Sequence, residues 1–334
     1  MNVWLEFTLC AVAIMFAGTK LSFHGDVIAQ KTGLGGSWVG LVLLAVVTSL
    51  PELITGVSAV TIKDLPEMAV SGTIGSCMFN MLVLAGLDLL SKNRPVSHLI
   101  HQGHMLSAGF GIVLISFAAI DILFGKHLPY IKALNSIDPL SIAFVIVYLI
   151  AVKLIYAYEK TRVKEFAGEI AEATAPGGTL RRSIVMFTLY SLLIVAAACY
   201  LPDAGEKIAL TTGWGQNFIG TSFIAITTSL PEITVSVAAA RLGSFDMAVA
   251  NLLGSNLFNI AILAVIDFCY LKAPLLRSVS DMNALIALAT IISMAIVVIG
   301  LTYRSETKFA FLASDALAIL FVYIMANVLL FSIH

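Results

Sequence analysis

Two segments of this chain place the same reactive residues in apolar surroundings. They are Thr48-Ser49-Leu50-Pro51-Glu52 and, 180 residues later, Thr228-Ser229-Leu230-Pro231-Glu232. A carboxylate at the centre of a bilayer costs about 2.5–3.5 kcal/mol on insertion scales, so an acid kept there marks a functional site. The neighbouring proline removes a helical hydrogen bond and leaves backbone carbonyls in need of partners. Carbonyl and carboxylate oxygens together form a hard-cation site. Two carboxylates held close in a low dielectric repel, and a divalent cation such as Ca²⁺ relieves that repulsion. The carbonyls of Thr48 and Thr228 are candidates to complete such a shell beside Glu52 and Glu232. The bland alternative is a proline kink with its glutamate in a water pocket, and the duplication argues against it.

A second pair of segments supplies neutral oxygens. Ser76 and Asn80 in Gly75-Ser76-Cys77-Met78-Phe79-Asn80, and Ser255 and Asn259 in Gly254-Ser255-Asn256-Leu257-Phe258-Asn259, are four apart and share a helical face. Gly75 and Gly254 are expected to let a neighbouring helix approach closely. Hydroxyl and amide oxygens suit Na⁺ or the remainder of a Ca²⁺ shell, although Ser and Asn also bond helices together in membranes.

These residues need elements to position them at mid-membrane. Hydrophobic residues make up 59% of the 334 residues and charged ones 12%, against roughly 45–50% and 25% in soluble domains. The chain therefore reads as an all-α polytopic membrane protein. Apolar runs predict ten transmembrane helices at about 3–30, 36–62, 66–90, 104–124, 139–159, 182–210, 216–240, 246–271, 282–303 and 309–332. Polar residues are expected to interrupt the first and sixth spans or carry them past the membrane core, and helices 2, 3, 7 and 8 are expected to break at the midplane. The start reads as a retained span rather than a cleaved signal. Net charge −1 gives no reason to expect a nucleic-acid partner. Cys10, Cys77, Cys199 and Cys269 lack metal-ligand spacing and read as small buried hydrophobes.

The halves repeat beyond the motifs. Phe7-Thr8-Leu9 recurs as Phe187-Thr188-Leu189, Thr32-Gly33-Leu34-Gly35 as Thr212-Gly213-Trp214-Gly215, Gly40 as Gly220, and Asp88 as Asp267. The organisation read from this is a first five-helix repeat at 1–160 (motif 45–80), a linker at 161–181, and a second repeat at 182–334 (motif 225–259). Five spans per copy is an odd number, so the copies must be inverted in the membrane, as in many secondary transporters. With the linker cytoplasmic and both termini outside, twelve Lys and Arg fall on the cytoplasmic side and six outside, as the positive-inside rule favours.

The paired motifs, duplicated in inverted halves, resemble the α-repeats of the calcium/cation antiporter superfamily, most of all its sodium/calcium exchangers. The resemblance implies that Glu52 and Glu232 are the central Ca²⁺ ligands, with carbonyls from Thr48 and Thr228. It implies Na⁺ or shared sites at Ser49, Ser229, Ala45, Ala225, Ser76, Ser255, Asn80 and Asn259. It also implies that Ca²⁺ and Na⁺ are transported rather than held as cofactors, and that the protein is no enzyme. The chain departs from the family pattern at Val47 and Thr227, at Cys77 in place of Asn, at Gly72 facing Asn251, and at Asn259, where many members carry Asp.

The function expected is Ca²⁺/Na⁺ antiport by alternating access, in the direction of Ca²⁺ export, across a plasma or inner membrane. The partners expected are the lipid bilayer and the two ions; the oligomeric state stays open, and a monomer is compatible with the sequence. The alternatives are Ca²⁺/H⁺ antiport on the same fold and a cation channel. An intramembrane hydrolase fits less well, since acid proteases use Asp dyads rather than Glu after Pro. His98, His101 and His104 are expected in a solvated interfacial stretch. Asp26, Glu206, Asp88 and Asp267 are expected to cap helices near the interfaces or to draw cations toward the entrances. Asp64, Glu67 and Asp246 begin spans, where helix dipoles favour acids.

Overall fold

The computed structural model describes residues 3–92, 94–127, 138–165, 179–212, 224–309 and 311–333. Most of the expected linker, 166–178, and the Gly213-Trp214-Gly215 and Gly220 repeats lie outside the described residues. The described elements are all helical in their regular structure: α1 Val3–Thr32, α2 Gly36–Thr61, α3 Pro66–Leu87, α4 His104–Phe124, α5 Pro139–Glu165, α6 Leu180–Thr212, α7 Ile224–Thr228, α8 Leu230–Arg241, α9 Phe245–Cys269, α10 Met282–Tyr303 and α11 Ser314–Ile333. Nine helices among the described residues are long and apolar enough to cross a membrane. The expected seventh span is described only from Ile224, as α7 and α8.

Three of the four expected breaks do not occur. Helices α3 and α9 are continuous through their Gly-Ser motifs, because glycine costs a helix only about 1 kcal/mol and no proline lies in their interiors. Pro66 sits in the first turn of α3, where a missing N–H costs nothing. Helix α2 also continues past Pro51, with a π-helical stretch at Val39–Leu44 earlier in the same span. The second copy does break: Ser229 leaves helical geometry at φ −82°, ψ 3°, and Pro231 then lies in the first turn of α8. The first and sixth spans are uninterrupted. At 30 and 33 residues, they are about 45–50 Å long at 1.5 Å per residue and overrun the membrane core.

Helix α9 is the axis of the molecule. Its most apolar window is 89% buried, against 17% for α1 and 22% for α5, α6 and α11. Two glycines let α2 cross it closely. A side chain on Gly40 would strike the Met247 carbonyl, and one on Gly254 would strike the Leu41 carbonyl. Gly75, expected to do the same work, has open space beside it. At the periphery, α1 and α6 run antiparallel: Glu6 accepts from Tyr200 Oη at 3.0 Å, while His24 lies 3.4 Å from Ser183 Oγ. Ser22 ties α1 inward by donating to the Val235 carbonyl at 2.8 Å.

Asp88 and Asp267 act as matched caps. Asp88 Oδ1 accepts the Val96 N–H at 2.8 Å and Oδ2 the Ala313 N–H at 2.7 Å. Asp267 Oδ1 accepts the Leu275 N–H at 2.7 Å and Oδ2 the Asp138 N–H at 2.9 Å. Each acid pins the loop eight residues on and the start of a distant helix. Both are buried, so they serve as anchors within the protein rather than as solvated interfacial groups. One histidine departs from expectation, while His98 keeps to the partly exposed stretch beside Arg94. His104 is 3% exposed and its Nε2 lies 2.8 Å from Asp246 Oδ1, which also accepts the His101 N–H. The polarity of this stretch is spent inside the protein, on the first turn of α9. Asp26 accepts from Ser244 and Gln30; the Glu206 side chain lies outside the described set.

Removing the Asp267 carboxylate strands two buried N–H donors, each at a cost of about 1–3 kcal/mol. Asp267→Ala is expected to lower the melting temperature in detergent markedly. Asp281→Ala, which removes an exposed pair with Lys126, is expected to change it little.

Candidate cation site

Both motif glutamates reach the centre of the bundle. Glu52 is 3% exposed and Glu232 1%. Proline places them differently. Glu52 sits in the middle of a continuous helix, whereas Glu232 sits in the first turn of α8, where the helix dipole favours its charge.

Hydroxyls from both copies surround each glutamate. Ser76 Oγ donates to Glu52 Oε1 at 3.3 Å, and Ser229 Oγ donates to Ser76 Oγ at 3.3 Å. Ser49 Oγ donates to Glu232 Oε1 at 3.1 Å, reaching from α2 to α8. Thr228 faces Glu52, and Thr48 and Ser255 face Glu232; Thr48 Oγ1 and Ser255 Oγ are themselves 3.4 Å apart. Ala45 is fully buried one turn before Thr48, its carbonyl accepting the Thr48 hydroxyl at 3.3 Å. Ala225 lies in α7, and its side chain is outside the described set.

One oxygen of each carboxylate is thus satisfied, and the other is not. Glu52 Oε2, Glu232 Oε2, Asn80 Oδ1 and Asn259 Oδ1 are buried without a hydrogen-bond partner. Two belong to acids and two to neutral amides, and each type comes once from each half. Among the described residues no Lys, Arg or His forms an ion pair with either glutamate. A buried carboxylate without a partner is costly, so this set of oxygens calls for a cation. Among the described residues no three His, Cys, Asp or Glu gather as a structural metal site would need. A metal here depends on neutral oxygens as well as on the two acids, a hard donor set that suits Ca²⁺ and Na⁺ rather than softer metals.

Three buried residues beside the site were not singled out as ligands from the sequence. Asn251 accepts the Thr48 hydroxyl at 3.4 Å and donates to Ser236 Oγ at 3.0 Å. Asn256 accepts from Asn80 Nδ2 at 2.9 Å and donates to the Cys77 carbonyl at 3.1 Å. Cys77 lies against Asn256 in turn. Their signal in the sequence was the motif itself: Asn256 and Cys77 occupy matching positions of the two Gly-Ser segments.

An all-helical bundle with membrane-length apolar helices and orphaned carboxylate and amide oxygens at its centre has the make-up of an integral membrane protein that handles cations. Comparison with known proteins narrows the class. The family model described as sodium/calcium exchanger protein matches residues 2–157 and 182–332, and the chain belongs to that family, whose members carry out cation/Ca²⁺ exchange. It is 27% identical over 252 residues to the inner membrane protein YrbG of Escherichia coli, covering 75% of this chain and 74% of that protein. It is 26% identical over 295 residues to the sodium/calcium exchanger MaX1 of Methanosarcina acetivorans, covering 81% and 83%. Its fold matches a structure of the sodium-calcium exchanger NCX_Mj, with TM-score 0.74 at 19% identity over 98% of this chain and 97% of that one.

Asn259→Ala removes one orphan oxygen while sparing the carboxylates. The Ca²⁺ concentration giving half-maximal thermal stabilisation in detergent is expected to rise about tenfold, the equivalent of about 1.4 kcal/mol. Ser91→Ala, remote from the site, is expected to leave it unchanged.

Proposed function

We propose that the protein exchanges Ca²⁺ for Na⁺ by alternating access, one Ca²⁺ or competing Na⁺ ions binding between Glu52 and Glu232. The observation that carries this reading is the pair of glutamate oxygens left unpartnered in the core beside the amide oxygens of Asn80 and Asn259. Thr48 and Thr228 contribute carbonyl oxygens to Ca²⁺. Ser49, Ser229, Ala45, Ala225, Ser76 and Ser255 line the flanking Na⁺ positions. Both ions use the same two negative charges, so the site carries one cargo or the other. An empty site leaves two charges unneutralised, which penalises return without an ion.

The proposed architecture is ten spans in two inverted five-helix repeats joined by 161–181. Its support is the antiparallel course of α1 and α6, which carry equivalent sequences, and the matched caps at Asp88 and Asp267. The lightly buried α1 and α6 are the pair free to slide past the α2–α9 core, exposing the site to one side at a time. Both termini lie outside in this arrangement, and Ca²⁺ moves outward. If three Na⁺ cross for each Ca²⁺, one net charge moves, worth about 2.3 kcal/mol per 100 mV.

Coupling to Na⁺ is favoured over H⁺ by the neutral oxygens around the acids, which a proton would not need. It is also favoured by the similarity to MaX1, a protein named for sodium/calcium exchange. Reconstituted vesicles with separately imposed gradients test it. An outward Na⁺ gradient is expected to drive ⁴⁵Ca²⁺ uptake that choline substitution abolishes, and uptake driven by a proton gradient in choline would establish the H⁺-coupled reading instead. Glu52→Gln and Glu232→Gln are each expected to reduce Na⁺-driven flux by at least about a hundredfold; wild-type flux in either would exclude the shared site.

A further inference from the structure

Asparagine presents an oxygen and a nitrogen of similar shape, and only the oxygen can ligate a cation. The ion site therefore needs something to decide which atom of Asn80 and Asn259 faces inward. We propose that Asn256 and Cys77 make that decision as positioning residues, holding Asn80 firmly and Asn259 loosely. This inference rests on the reading of Glu52 and Glu232 as the ion site.

One group in this cluster cannot change role. The Cys77 carbonyl can only accept a hydrogen bond, and the Asn256 amide lies 3.1 Å from it. Asn256 must therefore present Nδ2 to Cys77, which leaves its Oδ1 as an acceptor on the opposite side. That oxygen lies 2.9 Å from the Asn80 amide. Asn80 must donate there, and its own oxygen is thereby turned away from Asn256, where it is buried without a partner. Two amides and one carbonyl form a chain in which every orientation follows from the last.

The second copy has the same geometry with weaker chemistry. Position 77 matches position 256 at the offset of 179 that relates the two Gly-Ser motifs, and it holds Cys instead of Asn. The Cys77 thiol lies 3.9 Å from the Asn256 carbonyl, mirroring the Asn256 amide against the Cys77 carbonyl. The thiol also contacts the Asn259 side chain, as Asn256 Oδ1 does Asn80. Sulfur is a weak donor and a weak acceptor, so the chain that fixes Asn80 is only sketched at Asn259. All four residues are buried away from bulk solvent. The consequence is one rigid neutral ligand and one adjustable ligand, in a shell that must fit cargoes of different charge and number.

Ca²⁺ titrations of thermal stability in detergent, paired with vesicle flux, test the assignment. Asn256→Ala is expected to raise the half-saturating Ca²⁺ about tenfold while the maximal flux stays within about twofold. In an Asn80→Ala background the same change is expected to have no further effect, because Asn256 acts through Asn80. Cys77→Asn restores the missing amide and is expected to lower the half-saturating Ca²⁺ several-fold, an outcome that damage to packing does not produce. Unchanged affinity in Cys77→Asn, or additive losses in the Asn80→Ala/Asn256→Ala pair, would overturn the proposal while leaving the glutamate site intact. A wild-type protein with no Ca²⁺ response at all would instead remove the site on which it rests.

Discussion

Everything else in this protein accommodates two carboxylates buried together with no basic side chain among the described residues paired to balance them. Their Oε1 atoms are quieted by Ser76 and Ser49, but hydroxyls are neutral and leave the net charge in place. Whenever both acids are ionised, the centre of the protein therefore demands positive charge. In a soluble enzyme, a lysine or a resident metal would meet that demand. In the function proposed above, that demand is left to an ion that comes and goes, which would make exchange obligatory.

That demand shapes the packing around it. The helices bearing the site must be held tightly enough that orphaned oxygens stay aligned, and α9 supplies the rigid member. It is nearly all buried, and α2 crosses it at Gly40 and Gly254 with backbone against backbone. Asp88 and Asp267 anchor the far ends of α3 and α9 to distant helix starts. Helices α1 and α6 lie at the outside, lightly buried along their apolar windows, and Ser22 ties α1 to the Val235 carbonyl.

The site was legible in the sequence because its chemistry is expensive. Proline and glutamate inside an apolar run, repeated once, are hard to reconcile with anything but a polar centre, and Glu52 and Glu232 are both buried within the bundle. The amide oxygens of Asn80 and Asn259 followed from their four-residue spacing to serine. Less legible were features decided by tertiary contact. Breaks in α3 and α9 were expected, yet both helices run through, and of the two glycines expected to admit a close neighbour Gly254 does so while Gly75 faces open space. The proline motif behaves in two ways, since α2 absorbs Pro51 while the chain opens at Ser229 before Pro231. His104 carries no burial signal of its own, because its pairing with Asp246 joins residues 142 positions apart. The role of Asn256 was hidden for a similar reason: its partner Cys77 lies in the other half.

The central claim is that one ion sits between Glu52 and Glu232, and anomalous diffraction from crystals soaked in Sr²⁺ or Ca²⁺ tests it most directly. The account predicts a single strong peak at mid-bundle, with carboxylate oxygens of both glutamates about 2.3–2.6 Å from a Ca²⁺ position. A peak coordinated by one glutamate alone, or strong density elsewhere with this centre filled only by water, would contradict it.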